Sequence, residues 1–195
     1  YALKEAGGTI HDTISYYRYR RFLKIFDKIK EIHRKRKVEG ETIPPPPGYA
    51  MRLLEGISLE DEESLQEMWA GLIANLTDPK KRIQPKKVFT HILSELEPLD
   101  VAIIKFLNGQ GWLQSKEVPG GGFNIKRIAE ELTIPSGEIK ISIFNLARLG
   151  CIIAEKPVGY GGDLHSDIGA FIDDNHSILK ITPLAGRLLT ACETK

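Results

Sequence analysis

The stretch IKRIAEELTIPSGEIKISIFNLARLGCIIAE, Ile125–Glu155, decides the architecture of the second half of this chain. Ile125, Ile128, Ala129 and Leu132 recur at helical spacing. Thr133-Ile134-Pro135-Ser136 reads as a tight turn, with Ser136 placed to cap the helix that follows. That helix is predicted from about Gly137 to Leu149, with Ile139, Ile143, Leu146 and Leu149 on one side and Gly150 closing it. Cys151–Glu155 reads as a strand. Helices this short are unstable alone in water, so Ile128, Leu132, Ile143 and Leu146 must be buried against another element.

Just upstream, a helix over Leu99–Asn108 offers Ile103, Ile104 and Leu107 as that surface. Downstream, a loop rich in Gly and Asp covers Pro157–Asn175, and Ser177–Ile181 reads as a second strand. Thr182 suits the N-cap and Pro183 the first position of a last helix, Leu184–Cys192. Helix, helix, turn, helix, strand, loop, strand is the order of a winged helix-turn-helix, with the strands as a β-ribbon and the long loop as its wing.

The first half is helical. Residues 10–37 contain no Gly or Pro, and Ile14, Tyr17, Phe22, Ile25, Phe26, Ile29 and Ile32 fall on a broad apolar stripe. Gly40 and the run Pro44–Gly48 end that helix, and a short one over Tyr49–Ile57 follows the prolines. Ser58 then reads as an N-cap, with Glu60–Glu63 on the first turn where the helix dipole favours negative charge. Leu65, Met68, Trp69, Leu72, Ile73 and Leu76 continue as a core-facing helix up to Asp78-Pro79. Val88, Phe89, Ile92, Leu93 and Leu96 mark another helix, stopped by Pro98. The expected fold is mainly α with a small antiparallel β-ribbon. Residues 1–43 form a long basic helix, 44–96 complete a helical domain with it, and 97–195 form the winged-helix-like domain.

Composition narrows the function classes. With 42% hydrophobic and 27% charged residues the chain is globular rather than disordered. Its two cysteines, Cys151 and Cys192, exclude a disulfide scaffold. No apolar run is long enough for a membrane span, so a cytoplasmic protein is expected. The first residue is Tyr1 rather than Met, which suggests a start inside a longer protein. The net charge of +1 hides blocks of opposite sign. Ten bases and three acids give +7 over Ile10–Val38, nine acids and one base give −8 over Glu39–Asp78, and Pro79–Glu95 carries +4. Such blocks can pair within the chain, between copies or with a partner.

Several stretches together resemble the Abi-alpha family of bacterial abortive-infection proteins. They are YYRYRRFLKIFDK (Tyr16–Lys28), LLEGISLEDEESLQEMWAGLIANLTDP (Leu53–Pro79), FTHILSELEPLDVAIIKFL (Phe89–Leu107) and LKITPLAGRLLTAC (Leu179–Cys192). The resemblance implies a phage-defence setting and brings no catalytic residues with it.

Two clusters are candidates for nucleic acid. Arg18, Arg20, Arg21 and Lys24, interleaved with Tyr16, Tyr17, Tyr19 and Phe22, could grip phosphates and stack bases. The reading preferred is packing, with the aromatics in the core and the basic face against the acidic block. Lys126 and Arg127, with Lys140, Asn145 and Arg148 facing outward beside Glu138 and Ser142, could read DNA. Glu130, Glu131 and Glu138, and Asp163, Asp167, Asp173 and Asp174 in the wing, deny that surface a basic footprint, which favours protein contacts. The same wing acids with His165 and His176 match no zinc or EF-hand spacing and read as a solvated loop. Gly120–Gly122 and Gly159–Gly162 lack the context of a phosphate-binding loop. Cys151 reads as a buried, inert thiol, and neither Arg82 with His91 nor His33 makes an acid–base site. No catalytic residue, metal or cofactor is assigned. The expected function is a non-enzymatic defence module that works through protein contacts, as a homo-oligomer or with another protein. The alternatives are a nucleic-acid-binding regulator or a toxin nuclease.

Overall fold

The computed structural model describes residues 2–38, 42–81, 83–109, 124–155 and 178–194. Among them are eight helices and one two-stranded antiparallel sheet. In chain order these are α1 (Ala2–Arg36), α2 (Pro47–Leu59), α3 (Glu63–Thr77), α4 (Lys87–Glu95), α5 (Pro98–Gly109), α6 (Ile125–Leu132), α7 (Ser136–Arg148), β1 (Ile152–Glu155), β2 (Ile178–Ile181) and α8 (Pro183–Cys192). They form two compact units, Tyr1–Glu95 with Thr190–Lys195, and Leu96–Leu189.

In the first unit α1 packs on α2 and α3, and α4 packs on both of those. The core joins Ile25, Ile29 and Ile32 of α1, Leu53 and Ile57 of α2, Leu65, Trp69 and Leu72 of α3, and Phe89, Ile92 and Leu93 of α4. The stripe on α1 is narrower than its sequence suggests, because Ile14 and Tyr17 are 53% and 55% exposed and Phe26, expected on it, is 39% exposed. Length explains the first two. At 1.5 Å per residue the 35 residues of α1 span ~52 Å and the 15 of α3 only ~22 Å, so α3 can lie along less than half of α1. The expected Ser58 cap is also displaced. Tyr49, Leu53 and Ile57 are buried at four-residue steps and carry α2 through Ser58 to Leu59. The next helix starts at Glu63, leaving Glu60, Asp61 and Glu62 on the connection, where the Glu62 N–H donates to Glu60 Oε1 at 2.9 Å.

A buried polar knot locks the far end of α1. Asn75 is 1% exposed and its amide donates to the carbonyls of Ala191 (2.8 Å) and Glu193 (2.9 Å). Those are carbonyls that a helix end leaves without intrahelical partners. Arg36 donates to Asn75 Oδ1 at 2.7 Å and to the Glu193 carbonyl at 3.0 Å.

In the second unit α5, α6 and α7 bury Val101, Ile103, Ile104 and Leu107 against Ile125, Ile128, Ile139, Ile143 and Leu146. Leu132, expected inside, is half-buried. Asn124 caps α6 by accepting the Arg127 N–H at 2.9 Å, and Thr133 ends it in the left-handed region at φ 57°. Ser136 is not a cap. Pro135, held near the φ of its ring, accepts the N–H groups of Glu138 and Ile139, so α7 begins at Ser136 itself. Gly150, at φ +68°, turns the chain into β1. β1 pairs with β2 in the register Ile152↔Ile181. Thr182 caps α8 as expected, accepting the Ala185 N–H at 3.2 Å while its hydroxyl donates to the Gly150 carbonyl at 2.7 Å. The loop expected as a wing, at 157–175, the glycines at 120–122 and Arg82 lie outside the described residues.

Candidate interaction surface

The inner face of α1 meets the acidic connection between α2 and α3. Arg18 donates through Nε and a terminal nitrogen to Ser58 Oγ, at 3.2 and 2.9 Å. Arg21 donates to Asp61 Oδ2 at 2.7 Å and to the Leu59 carbonyl at 3.3 Å. Lys24 donates to Glu63 Oε2 at 2.5 Å, and Lys28 closes on Glu63 Oε1. Glu63 is held down to about 2 by its hydrogen bonds from Lys24 and Lys28. Three of the four bases singled out near the start of the chain, Arg18, Arg21 and Lys24, are thus bonded within the chain.

The aromatics do not go where packing would put them. Tyr16, Tyr17 and Tyr19 are 58%, 55% and 60% exposed, which overturns their reading as core. Tyr16 and Tyr19 lie on the side of α1 opposite Ile25, Ile29 and Ile32, so the helical period itself turns them outward. With Leu23 (42%) and Phe26 (39%), Tyr16 and Tyr19 form an exposed stripe on the face turned away from α3. Arg20, the fourth base, lies here with its guanidinium 5.9 Å from the Tyr16 ring centre, and Lys30 stands 5.9 Å from that of Phe26.

The second group of candidates is dispersed over α6 and α7. Lys126 and Arg127 are exposed on α6 and Lys140 is half-buried on α7. Asn145 is half-buried and tied inward: its amide donates to Asp100 Oδ2 at 2.7 Å and its Oδ1 accepts from Arg148 at 2.7 Å. Ser142, expected outside, is buried. The outer face of α7 instead shows Ile141, 65% exposed, and Phe144, 40% exposed. The sequence carried that signal: inward residues at 139, 143 and 146 leave 141 and 144 on the opposite side.

Little else in the described residues offers chemistry. Burial, and then Asp100, push the Cys151 thiol up to about 11, so it is a poor nucleophile near neutrality. A groove of about 700 Å³ beside α2 is edged by Arg18, Met51, Arg52, Leu54, Glu55 and Ser58, with Arg18 already bonded to Ser58. Among the described residues no three His, Cys, Asp or Glu side chains converge, and no helix is long and apolar enough to cross a membrane.

A family model described as abortive infection alpha matches residues 19–192, most of the chain. No curated protein and no solved structure matches it.

Proposed function

We propose, on the premise that this chain belongs to the abortive infection alpha family, that it is a non-enzymatic, cytoplasmic interaction module of phage defence. In this reading residues 1–43 and 44–96 form a helical domain, and 97–195 form a winged helix that touches protein rather than DNA. Family membership supports the association with abortive infection. The order α6, turn, α7, β1, β2 supports the winged-helix reading.

The observation that carries the contact reading is what the two exposed helix faces display. A nucleic-acid reader sets bases on its working surface. Here α1 bonds Arg18, Arg21 and Lys24 within the chain and exposes Tyr16, Tyr19, Leu23 and Phe26. α7 exposes Ile141 and Phe144.

The test is protection of bacteria producing the full chain from phage, read as plating efficiency. Ile141→Asp with Phe144→Asp should lose protection while the thermal melt is unchanged, and binding to duplex DNA at physiological salt should be weak and nonspecific. Full protection by that variant, a tight sequence-selective DNA complex, or metal-dependent cleavage of nucleic acid abolished by changing His165 and Asp167 would each overturn the reading.

A further inference from the structure

We propose that the outer face of α1 pairs antiparallel with the same face of a second copy of this chain. This rests on the contact reading above and names its partner. Tyr16, Tyr19, Leu23 and Phe26 follow one another at steps of three, four and three residues, the seam spacing of paired helices. Each is at least 39% exposed, and the buried face of α1, through Ile25, Ile29 and Ile32, is a separate stripe.

Charge selects the occupant. The outer face alternates Arg20, Lys30 and Arg34 with Asp12, Asp27 and Glu31, all exposed, so its charges balance. A balanced apolar face does not favour a polyanion, and the bases that would attract one, Arg18, Arg21, Lys24 and Lys28, are turned to Ser58, Asp61 and Glu63. The same balance fits a second copy. Arg20 and Asp27 flank the seam on one side, seven residues or ~10 Å apart. A twofold axis crossing α1 near Leu23 sets each Arg20 beside the Asp27 of the other copy. A parallel pairing in register would instead level Arg20 with Arg20 and Asp27 with Asp27.

From Tyr16 to Lys30 the seam is ~21 Å long, less than a standard permanent interface needs, so the dimer forms with concentration. Sedimentation of the full chain should show its mass rising from 21.8 kDa toward twice that value across micromolar concentrations. Leu23→Asp should hold it at the single-chain mass with its thermal melt unchanged. Arg20→Asp and Asp27→Arg should each weaken association several-fold, and the two together should restore it. A wild-type chain that stays at one mass overturns the proposal, as does association indifferent to Leu23→Asp or a double swap no better than its parts. A nucleic-acid mobility shift lost in Leu23→Asp by a chain that never dimerises would assign this face to nucleic acid instead. If Leu23→Asp abolishes phage protection by a chain that remains single, the contact reading stands and self-pairing falls.

Discussion

Gly71 and Gly137 both sit within helices, and the space around each sets the sign of the same substitution. A Cβ on Gly71 would lie 2.0 Å from the carbonyl oxygen of Cys192, which is backbone and cannot swing aside. Alanine gains about 1 kcal/mol in helix propensity there, but crowding of this kind costs about 1–3 kcal/mol. Gly71→Ala should therefore lower the urea midpoint. At Gly137 a Cβ meets nothing within 4 Å, and Gly137→Ala should raise stability by about 0.5 kcal/mol. Glu63 gives a second prediction. Its folded pKa is lowered from 4.5 to about 2 by hydrogen bonds from Lys24 and Lys28. Its contribution is complete above the unfolded value and is lost as pH falls from there toward 2. Glu60 runs the other way, because burial raises it, so it contributes below the carboxylate range and less as pH rises through it. An NMR titration should place Glu63 near 2, and Lys24→Met with Lys28→Met should return it toward the ordinary carboxylate range. A wild-type Glu63 titrating in the ordinary range would show that the lysines do not hold it.

α7 shows which parts of a helix can be read from sequence. Ile139, Ile143 and Leu146 are fully buried, as their spacing implies, and Ile143→Ala should cost about 2–5 kcal/mol. Ile141→Ser, two residues earlier, should change stability by no more than about 0.5 kcal/mol, as a surface position does. Equal losses in urea unfolding would mean the helix is turned the wrong way. Periodicity settled the element types and the inward residues because burial selects for apolar side chains at fixed steps. The ends were less legible, since a cap depends on which neighbour's backbone arrives. Ser58 became the last turn of α2, and Ser136 became the first residue of α7 behind Pro135. The tyrosines of α1 misled for a different reason. A stripe says that a face is apolar, not whether anything covers it, and Tyr16 and Tyr19 lie on the side of α1 opposite its buried isoleucines. Asn75 is a polar residue on a core-facing helix, and its role depends on carbonyls 116 and 118 residues away in the chain.

Over the whole chain, charge is sorted into blocks that cancel, and the first two blocks meet inside the first unit. Arg21 on Asp61, and Lys24 and Lys28 on Glu63, join the basic helix to the acidic connection. These pairs are solvent-exposed on the acidic side, with Asp61 at 64% and Glu63 at 56%. Single exposed pairs are worth about 0–1 kcal/mol each and are screened by salt. The blocks therefore add little to stability, and the expectation to test is that they bias which face of α1 turns inward, alongside the burial of Ile25, Ile29 and Ile32. Neutralising the inner face with Arg21→Gln and Lys24→Gln should cost less than about 1 kcal/mol. Reversing it with Arg21→Glu and Lys24→Glu faces acids with Asp61 and Glu63 and should cost more, by about 1–2 kcal/mol at low salt, since repulsion replaces attraction at both sites. Molar salt should recover most of the difference between the two variants, because the Debye length then falls to about 3 Å. Adding Asp61→Arg to the reversed variant should recover the share lost at Arg21→Glu without salt, while Glu63 keeps its pair with Lys28. If the reversed variant is no less stable than the neutral one in dilute buffer, the blocks do not orient α1, and the outward turn of its aromatic stripe must come from the burial of Ile25, Ile29 and Ile32 alone.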